Sequence, residues 1–206
     1  MRILVTAGPT REKIDPVRFI TNYSTGKMGY AIAEAAISMG HEVILISGPV
    51  SLEAPCGVAE FCPVESAAEM ADAVFSRFSS CDAAIMVAAV ADYRPAEICS
   101  SKMKKSDGDL YLRLERTTDI LAGLGKRKHS GQKLIGFAAE TDDLLNNAAD
   151  KLARKNLDWI VANKVSDGFG SNTNKVVLLS RDGRKIDIAK AEKSTVAHEI
   201  LKRVLA

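Results

Sequence analysis

Asp82-Ala83-Ala84-Ile85-Met86-Val87-Ala88-Ala89-Val90-Ala91-Asp92-Tyr93 carries nine consecutive apolar residues, Ala83 to Ala91, between two carboxylates. Nine residues fall far short of the roughly 20 that a bilayer-spanning helix needs. They match a strand buried on both faces, whose side chains shrink to alanine as the strand ends. Outward from it the same kind of run recurs at Arg2 to Ala7, Glu42 to Ser47, Leu134 to Ala138 and Trp159 to Ala162, with Asp82 to Val87 as the middle member. Segments of helical period lie between: Met28 to Met39, ended by Gly40; Ala67 to Phe78, opened by the capping box Ser66-x-x-Glu69; a short one near Asp119 to Lys128; and Asp142 to Lys155. A last helix, about Lys193 to Leu205, places Val196, Ile200, Leu201 and Val204 on one face. This alternation predicts one α/β domain over residues 1–206, a Rossmann-like, doubly wound, mostly parallel sheet with helices on both faces.

Two segments break the alternation. Arg94 to Arg116 contains Pro95, the basic cluster Lys102-Met103-Lys104-Lys105, a turn at Asp107-Gly108-Asp109 and the alternating Leu110, Leu112 and Leu114, which reads as a polar, basic flap feeding a half-exposed strand. Val176 to Ile188 flanks Asp182-Gly183, a strong hairpin signal, and predicts a C-terminal β-hairpin extension.

With 28 Lys plus Arg against 26 Asp plus Glu, the net charge is +2. That balance argues against a nucleic-acid or anionic-membrane partner, and any functional positive charge has to be local. No membrane span is expected. Met1-Arg2 runs straight into Ile3-Leu4-Val5 without the roughly 7–15-residue apolar region of a secretory signal, so the cytoplasm is the expected location. Cys56, Cys62, Cys81 and Cys99 form no CxxC pair and have no histidine at metal spacing, His41, His129 and His198 lying elsewhere. They read as core or surface thiols in a reducing compartment.

In open α/β sheets ligands bind beyond the carboxyl ends of the strands. After the first strand come Gly8-Pro9-Thr10-Arg11 and a loop leading through Asn22-Tyr23-Ser24-Thr25-Gly26-Lys27-Met28-Gly29 into a helix. Glycines and hydroxyls at a helix N-terminus suit an anion, because free backbone N–H groups and the helix dipole face it. Close helix–sheet packing at Gly26 and Gly29, and a turn role for Asn22, are the plainer readings. The stretch is neither a Walker A motif nor GxGxxG. Ala88-Ala89 and Asp92 end the middle strand with small residues and an acid, so a flat ligand could approach the backbone and bond to Asp92; a solvated loop acid is the alternative. Gly136-Phe137-Ala138-Ala139-Glu140-Thr141 adds an aromatic for a base or for the core, and Ala162-Asn163-Lys164 adds an amide and an ammonium. Together these elements point to a phosphorylated, nucleotide-like ligand without naming a reaction.

Taken in order, Gly8-Pro9-Thr10-Arg11-Glu12 with Asp15-Pro16-Val17-Arg18, Asn22-x-Ser24-x-Gly26-Lys27-Met28-Gly29, Ala88-Ala89-Val90-Ala91-Asp92-Tyr93, Lys102-x-Lys104-Lys105, Gly136-Phe137-Ala138-Ala139-Glu140-Thr141 and Ala162-Asn163 resemble the bacterial phosphopantothenate–cysteine ligases, or phosphopantothenoylcysteine synthetases. The resemblance runs from residue 2 to about 180. It implies a ligase of coenzyme A biosynthesis that activates 4′-phosphopantothenate with CTP to an acyl-cytidylate, releases pyrophosphate, and lets the amine of L-cysteine displace CMP. It implies that Asn22 bonds the substrate carboxylate or the acyl-cytidylate carbonyl, and that Lys102, assisted by Lys104 and Lys105, stabilises the triphosphate. It also implies that Ala88, Ala89, Asp92 and Phe137 hold the cytidine, and that Gly8 and the Ser24, Gly26, Lys27 and Gly29 helix start bind phosphate. Mg²⁺ would accompany the nucleotide through phosphate oxygens and water, with its protein ligands unspecified.

Family members are homodimers, for which the Asp182-Gly183 hairpin is a candidate contact, and the lysine flap would reach across the dimer. Met1 abutting the first strand suggests the stand-alone form, with the flavin-dependent decarboxylase a separate chain. Lys164 stands where many members have Asp. The competing classes are a nicotinamide or flavin oxidoreductase, disfavoured by the missing GxGxxG and by Ser47-Gly48-Pro49 in place of an acidic ribose anchor, and a nucleotide-binding module without turnover.

Overall fold

The computed structural model describes residues 1–104, 109–168 and 171–206. In chain order the elements are β1 (Arg2–Ala7), β2 (Glu12–Asp15), β3 (Arg18–Ile20), α1 (Lys27–Ser38), β4 (Glu42–Ser47), β5 (Glu60–Pro63) and α2 (Ala67–Phe78). Then follow β6 (Ala83–Met86), β7 (Tyr93–Pro95), β8 (Leu114–Arg116), α3 (Ile120–Arg127), β9 (Lys133–Glu140) and α4 (Leu144–Arg154). The last are β10 (Trp159–Lys164), α5 (Val165–Gly168), β11 (Thr173–Ser180), β12 (Lys185–Glu192) and α6 (Lys193–Val204).

Eight strands form one sheet in the order β12-β11-β10-β9-β6-β1-β4-β5. The six from β5 to β10 are parallel, and β11 and β12 continue the sheet antiparallel. The parallel part has the doubly wound order, which reverses between β1 and β6.

The strands read as near-continuous apolar runs because each face has its own helical cover. Ile3, Val5 and Ala7 of β1 pack with α1 and α6, whereas Leu4, with Ile44 and Ile46 of β4, packs with α2, α3 and α4. Each fully buried Ile or Leu contributes roughly 1.5–3 kcal/mol relative to exposure. The helices begin where their caps place them. Ser66 Oγ accepts from the Glu69 N–H at 3.2 Å while Glu69 accepts from the Glu65 N–H at 2.7 Å, and Asp119 accepts from the Ala122 N–H at 3.0 Å. Val196, Ile200, Leu201 and Val204 of α6 are buried, as their spacing predicts.

The hairpin forms around Asp182-Gly183, with Gly183 at φ 87°. The flap behaves differently from its pattern. Of Leu110, Leu112 and Leu114, only Leu114 is in a strand, because β7 is three residues long and pairs only with Leu114–Arg116. Leu110 and Leu112 are exposed. The small strands β2, β3, β5 and β7 have no counterpart in the sequence reading; three or four residues are too few for a periodicity to register. The β2–β3 hairpin is where the flap attaches. Cys99 N–H donates to the Ile14 carbonyl at 3.0 Å, Met103 N–H to Asp15 Oδ2 at 3.1 Å, and Arg18 Nη2 to the Met103 carbonyl at 3.2 Å.

Candidate functional site

The reversal of strand order opens a crevice beyond the carboxyl ends of β1, β6 and β9, where ligands of such sheets bind. The segment leaving β6 is its central wall, held by neighbouring backbone and hydroxyl groups. Thr6 Oγ1, fully buried, accepts from the N–H groups of Val87 and Ala88 at 3.1 and 3.2 Å. Ala89 N–H donates to the Gly8 carbonyl at 2.9 Å, and its own carbonyl accepts from Thr10 N–H at 3.2 Å. On the far side Thr117 Oγ1 donates to the Ala91 carbonyl at 2.6 Å and Thr117 N–H to the Asp92 carbonyl at 3.0 Å.

Two clefts flank this wall. One, of about 410 Å³, is bounded by Asn22, Ser24, Gly26 and Lys27 before and at the start of α1, and by Asn163, Asn174 and Lys193 opposite. The other, of about 370 Å³, is bounded by Tyr93, Arg116, Thr117, Thr118 and Asp119 and by Lys151, Arg154 and Lys155 of α4. Ala88, Val90, Asp92, Phe137 and Lys151 line both. Two ligands seated in these clefts would meet across small side chains, one aromatic ring, one carboxylate and one ammonium.

Asn22 carries a loop role and a cleft role together. Its Nδ2 donates to the Ala89 carbonyl at 2.7 Å and its Oδ1 accepts from Ser24 N–H at 2.9 Å, which pins the loop to the central wall while the residue lines the cleft. Gly26 caps α1 at φ 76° and has no side chain to cap it, while its N–H donates weakly to Ser24 Oγ at 3.4 Å. Gly29 takes the packing role. A Cβ there would lie 2.6 Å from Ala7 Cβ and 3.0 Å from the Thr6 carbonyl oxygen, so only hydrogen lets α1 sit this close to β1. Gly8, at φ 74°, likewise does not line the cleft and allows the chain to pass under Gly48.

Lys151 is the central cation. Its Nζ donates to the Phe137 carbonyl at 2.8 Å. Burial pushes its ammonium below the usual lysine range and neighbouring Lys155 adds to that, while Glu140, Asp119 and Asp92 oppose it. Asp119 is held below the usual carboxylate range: burial works the other way, and the Ala122 N–H and the Lys155 ammonium at 2.9 Å outweigh it.

Of the residues singled out from sequence, the clefts bring together Asn22, Ser24, Gly26, Lys27, Ala88, Ala89, Asp92 and Phe137. Lys102 and Lys104 are exposed on the flap and line neither cleft, and Lys105 lies outside the described residues, as does most of the turn expected at Asp107-Gly108-Asp109. Sequence reasoning missed Thr117, Arg116, Lys151, Lys155, Asn174 and Lys193. The pair Lys151 and Lys155, four apart on a predicted helix, share one face and offered a signal; Asn174 and Lys193 reach the cleft only through the hairpin and α6, which tertiary structure alone reveals.

Among the described residues no group of three or more His, Cys, Asp or Glu side chains could hold a metal ion. Asp119 is committed to Lys155, which leaves Asp92 as the carboxylate facing both clefts. That donor set fits a metal arriving on a polyphosphate, with Asp92 as its one protein carboxylate, rather than a protein cage. No helix among the described residues is long and apolar enough to cross a membrane.

The family model described as the DNA/pantothenate metabolism flavoprotein C-terminal domain matches residues 1–206. The chain is 55% identical over 207 residues to the coenzyme A biosynthesis bifunctional protein CoaBC of Bacillus subtilis strain 168, covering 99% of this chain and 51% of that protein. It thus spans about half the length of such curated relatives. Among solved structures, the C-terminal domain of a CoaBC protein superposes with a TM-score of 0.85 at 48% identity, covering 98% of this chain and 93% of the other. A Cab2 histidine-to-alanine mutant in complex with phosphopantothenate-cysteine shares the fold, with a TM-score of 0.81 at 18% identity over 99% of this chain and 85% of that one. With a full-length family match, a majority-identical relative and this strand order, the chain belongs to the DNA/pantothenate metabolism flavoprotein C-terminal domain family.

Proposed function

We propose that this chain is a phosphopantothenate–cysteine ligase of coenzyme A biosynthesis, joining 4′-phosphopantothenate to L-cysteine through a CTP-derived acyl-cytidylate. The observation that carries the reading is the pair of clefts, about 410 and 370 Å³, sharing the wall of Ala88, Val90, Asp92, Phe137 and Lys151. A reaction that unites two anionic ligands needs two adjoining sites and fixed positive charge between them. The names of the relatives, and the phosphopantothenate-cysteine bound by the distant Cab2 structure, point the same way.

In this reading the nucleotide occupies the cleft of Arg116, Thr117 and Lys155, its base against Phe137 and the backbone of Ala88, and its ribose or metal-bearing end near Asp92, while Ala89, expected beside the base, lines the other cleft and faces the acid. Phosphopantothenate lies in the cleft of Ser24, Gly26 and Lys27, its carboxylate at the shared wall beside Asn22. A carboxylate oxygen attacks the α-phosphorus and pyrophosphate leaves; the cysteine amine then attacks the acyl carbon, loses a proton, and CMP leaves. Lys151 offsets the charge developing between the ligands, and the second N–H of Asn22 Nδ2 is free in direction to bond the acyl oxygen. Mg²⁺ bound to the triphosphate supplies further charge neutralisation. Lys102, Lys104 and Lys105 act by bringing the flap over the triphosphate, which also shields the anhydride from water.

The protein is proposed to work as a homodimer. Val17, Phe19, Tyr93, Ile98 and Leu114, all exposed around the β2–β3 and β7–β8 hairpins, are the apolar surface a second copy would cover. A flavin-dependent decarboxylase that consumes the amide product is the proposed functional partner.

The deciding experiment measures pyrophosphate release from CTP and, separately, from ATP, with Mg²⁺, 4′-phosphopantothenate and cysteine, and weighs the product by mass spectrometry. Release with CTP plus the amide product is expected. Release with ATP alone overturns the nucleotide assignment, and CTP binding without release favours a binding module.

A further inference from the structure

We propose that Lys193, with Lys27, binds the phosphoryl end of the substrate and is the residue by which the site selects a phosphorylated acid over its unphosphorylated counterpart. The inference rests on the ligase reading and adds to it a residue from the C-terminal helix.

Lys193 is the first residue of α6, only 8% exposed, and lines the same cleft as Asn22 and Lys27. Its Nζ donates to the Ser171 carbonyl at 2.7 Å and its N–H to the Asn172 carbonyl at 2.9 Å, while Lys27 Nζ donates to Asn172 Oδ1 at 2.7 Å. Two ammonium groups from two different helices are therefore fastened to adjacent residues at one end of the cleft. Burial pushes the Lys193 ammonium below the usual lysine range, and the nearby Lys27 charge pushes it further. A dianion offsets both costs. The first turns of α1 and α6, each in a helix of 12 residues, add positive dipole ends to the same region.

Position separates this end from the reacting wall. Asn174, which lines the cleft with Lys193, is the second residue of β11, three strands away from β6 in the sheet, or roughly 14 Å at the usual spacing. Asp92, the one carboxylate among the described residues lining the cleft, is on the β6 side. An extended acid with its carboxylate at Ala89 and Asn22 would carry its other charged end toward the lysines. 4′-Phosphopantothenate has its phosphate at the end opposite its carboxylate.

The test is steady-state kinetics of Lys193→Met and, separately, Lys27→Met, with melting temperatures recorded for both. Each substitution is expected to raise KM for 4′-phosphopantothenate about 10–100-fold, the loss of a charge-assisted contact. The KM for CTP and kcat stay near wild type. Unphosphorylated pantothenate, used as a competitive inhibitor, is expected to bind wild type and variants alike. A folded Lys193→Met protein with unchanged KM, or one whose pantothenate affinity falls equally, overturns the inference and leaves the ligase reading intact. If Lys193→Met does not fold, Lys193→Gln, which keeps a polar group toward the Ser171 carbonyl, decides it on the same readouts, with the half-buried Lys27→Met reporting the second charge of the pair. Wild-type protein that neither releases pyrophosphate nor binds 4′-phosphopantothenate in calorimetry overturns the ligase reading and this inference together.

Discussion

The Lys151 ammonium donates to the Phe137 carbonyl at 2.8 Å, which ties a side chain of α4 to the strand end between the two clefts. The bond fixes a positive charge where two anionic ligands would meet. Lys151→Met is expected to lower kcat/KM for CTP about 10–100-fold, the range for losing a bond to a charged group. Methionine suits the buried stem, so the melting temperature should hardly move. Wild-type kinetics in a folded variant would remove Lys151 from the mechanism.

Lys102→Gln tests the flap. Lys102 is exposed and lines neither cleft, so it contributes nothing to their walls and acts only if the flap brings it to the triphosphate. Pyrophosphate release is expected to fall to near background while the thermal transition is unaltered. Release at the normal rate would sink the role.

Asn22→Asp places a carboxylate opposite the Ala89 carbonyl, which now accepts from Asn22 Nδ2 at 2.7 Å, and beside the oxygens derived from the substrate carboxylate. The later step is expected to fail, with acyl-cytidylate accumulating and being detectable by mass. Amide formation at the wild-type rate would show that Asn22 serves the loop alone.

Asp15 anchors the flap to the β2–β3 hairpin. The Arg18 guanidinium, against the opposing effect of burial, and the N–H groups of Val17, Met103 and Arg18 hold its carboxyl well below the usual carboxylate range. A group lowered in the folded state contributes stability above its unfolded pKa, about 3.9, and that contribution is lost as pH falls through the folded value. The gap in denaturant midpoint between wild type and Asp15→Asn should be constant from about pH 5 to 8 and shrink below about pH 4. Hydrogen exchange at Met103 should quicken in the variant at neutral pH.

Gly29→Ala sets a methyl against the Ala7 Cβ and the Thr6 carbonyl, neither of which can swing aside. Overpacking costs about 1–3 kcal/mol, and the better helix propensity of alanine returns roughly 0.5–1. A drop of a few degrees in melting temperature is expected; a rise would mean that α1 shifts freely on β1.

The parallel strands and their helices were legible because burial on both faces writes long apolar runs, and Ser66 and Asp119 mark helix starts by a local rule. β2, β3, β5 and β7 escaped because three or four residues carry no period, and β8 was expected only as part of a longer strand from Leu110, of whose leucines Leu114 alone belongs to it. At the site, residues next to strand ends could be named from position alone, Asn22 and Asp92 among them. Lys151 offered only its shared helix face with Lys155, and Lys193 offered nothing, since their approach to the clefts depends on how α4 and α6 pack. Gly29 was visible as a special position, and of its two readings the closeness of Ala7 supports the packing one.

The wall segments of the larger cleft run from Asn22 to Lys193, so it joins parts of the chain 171 positions apart. During synthesis no fragment lacking α6 can present the complete pocket, and contacts of such long sequence separation form late and slowly. Once formed, they make the pocket a reporter of global folding. A ligand bound there stabilises the sheet from β1 to β12 as a unit, and partial opening of the C-terminal hairpin is suppressed by mass action at saturating ligand.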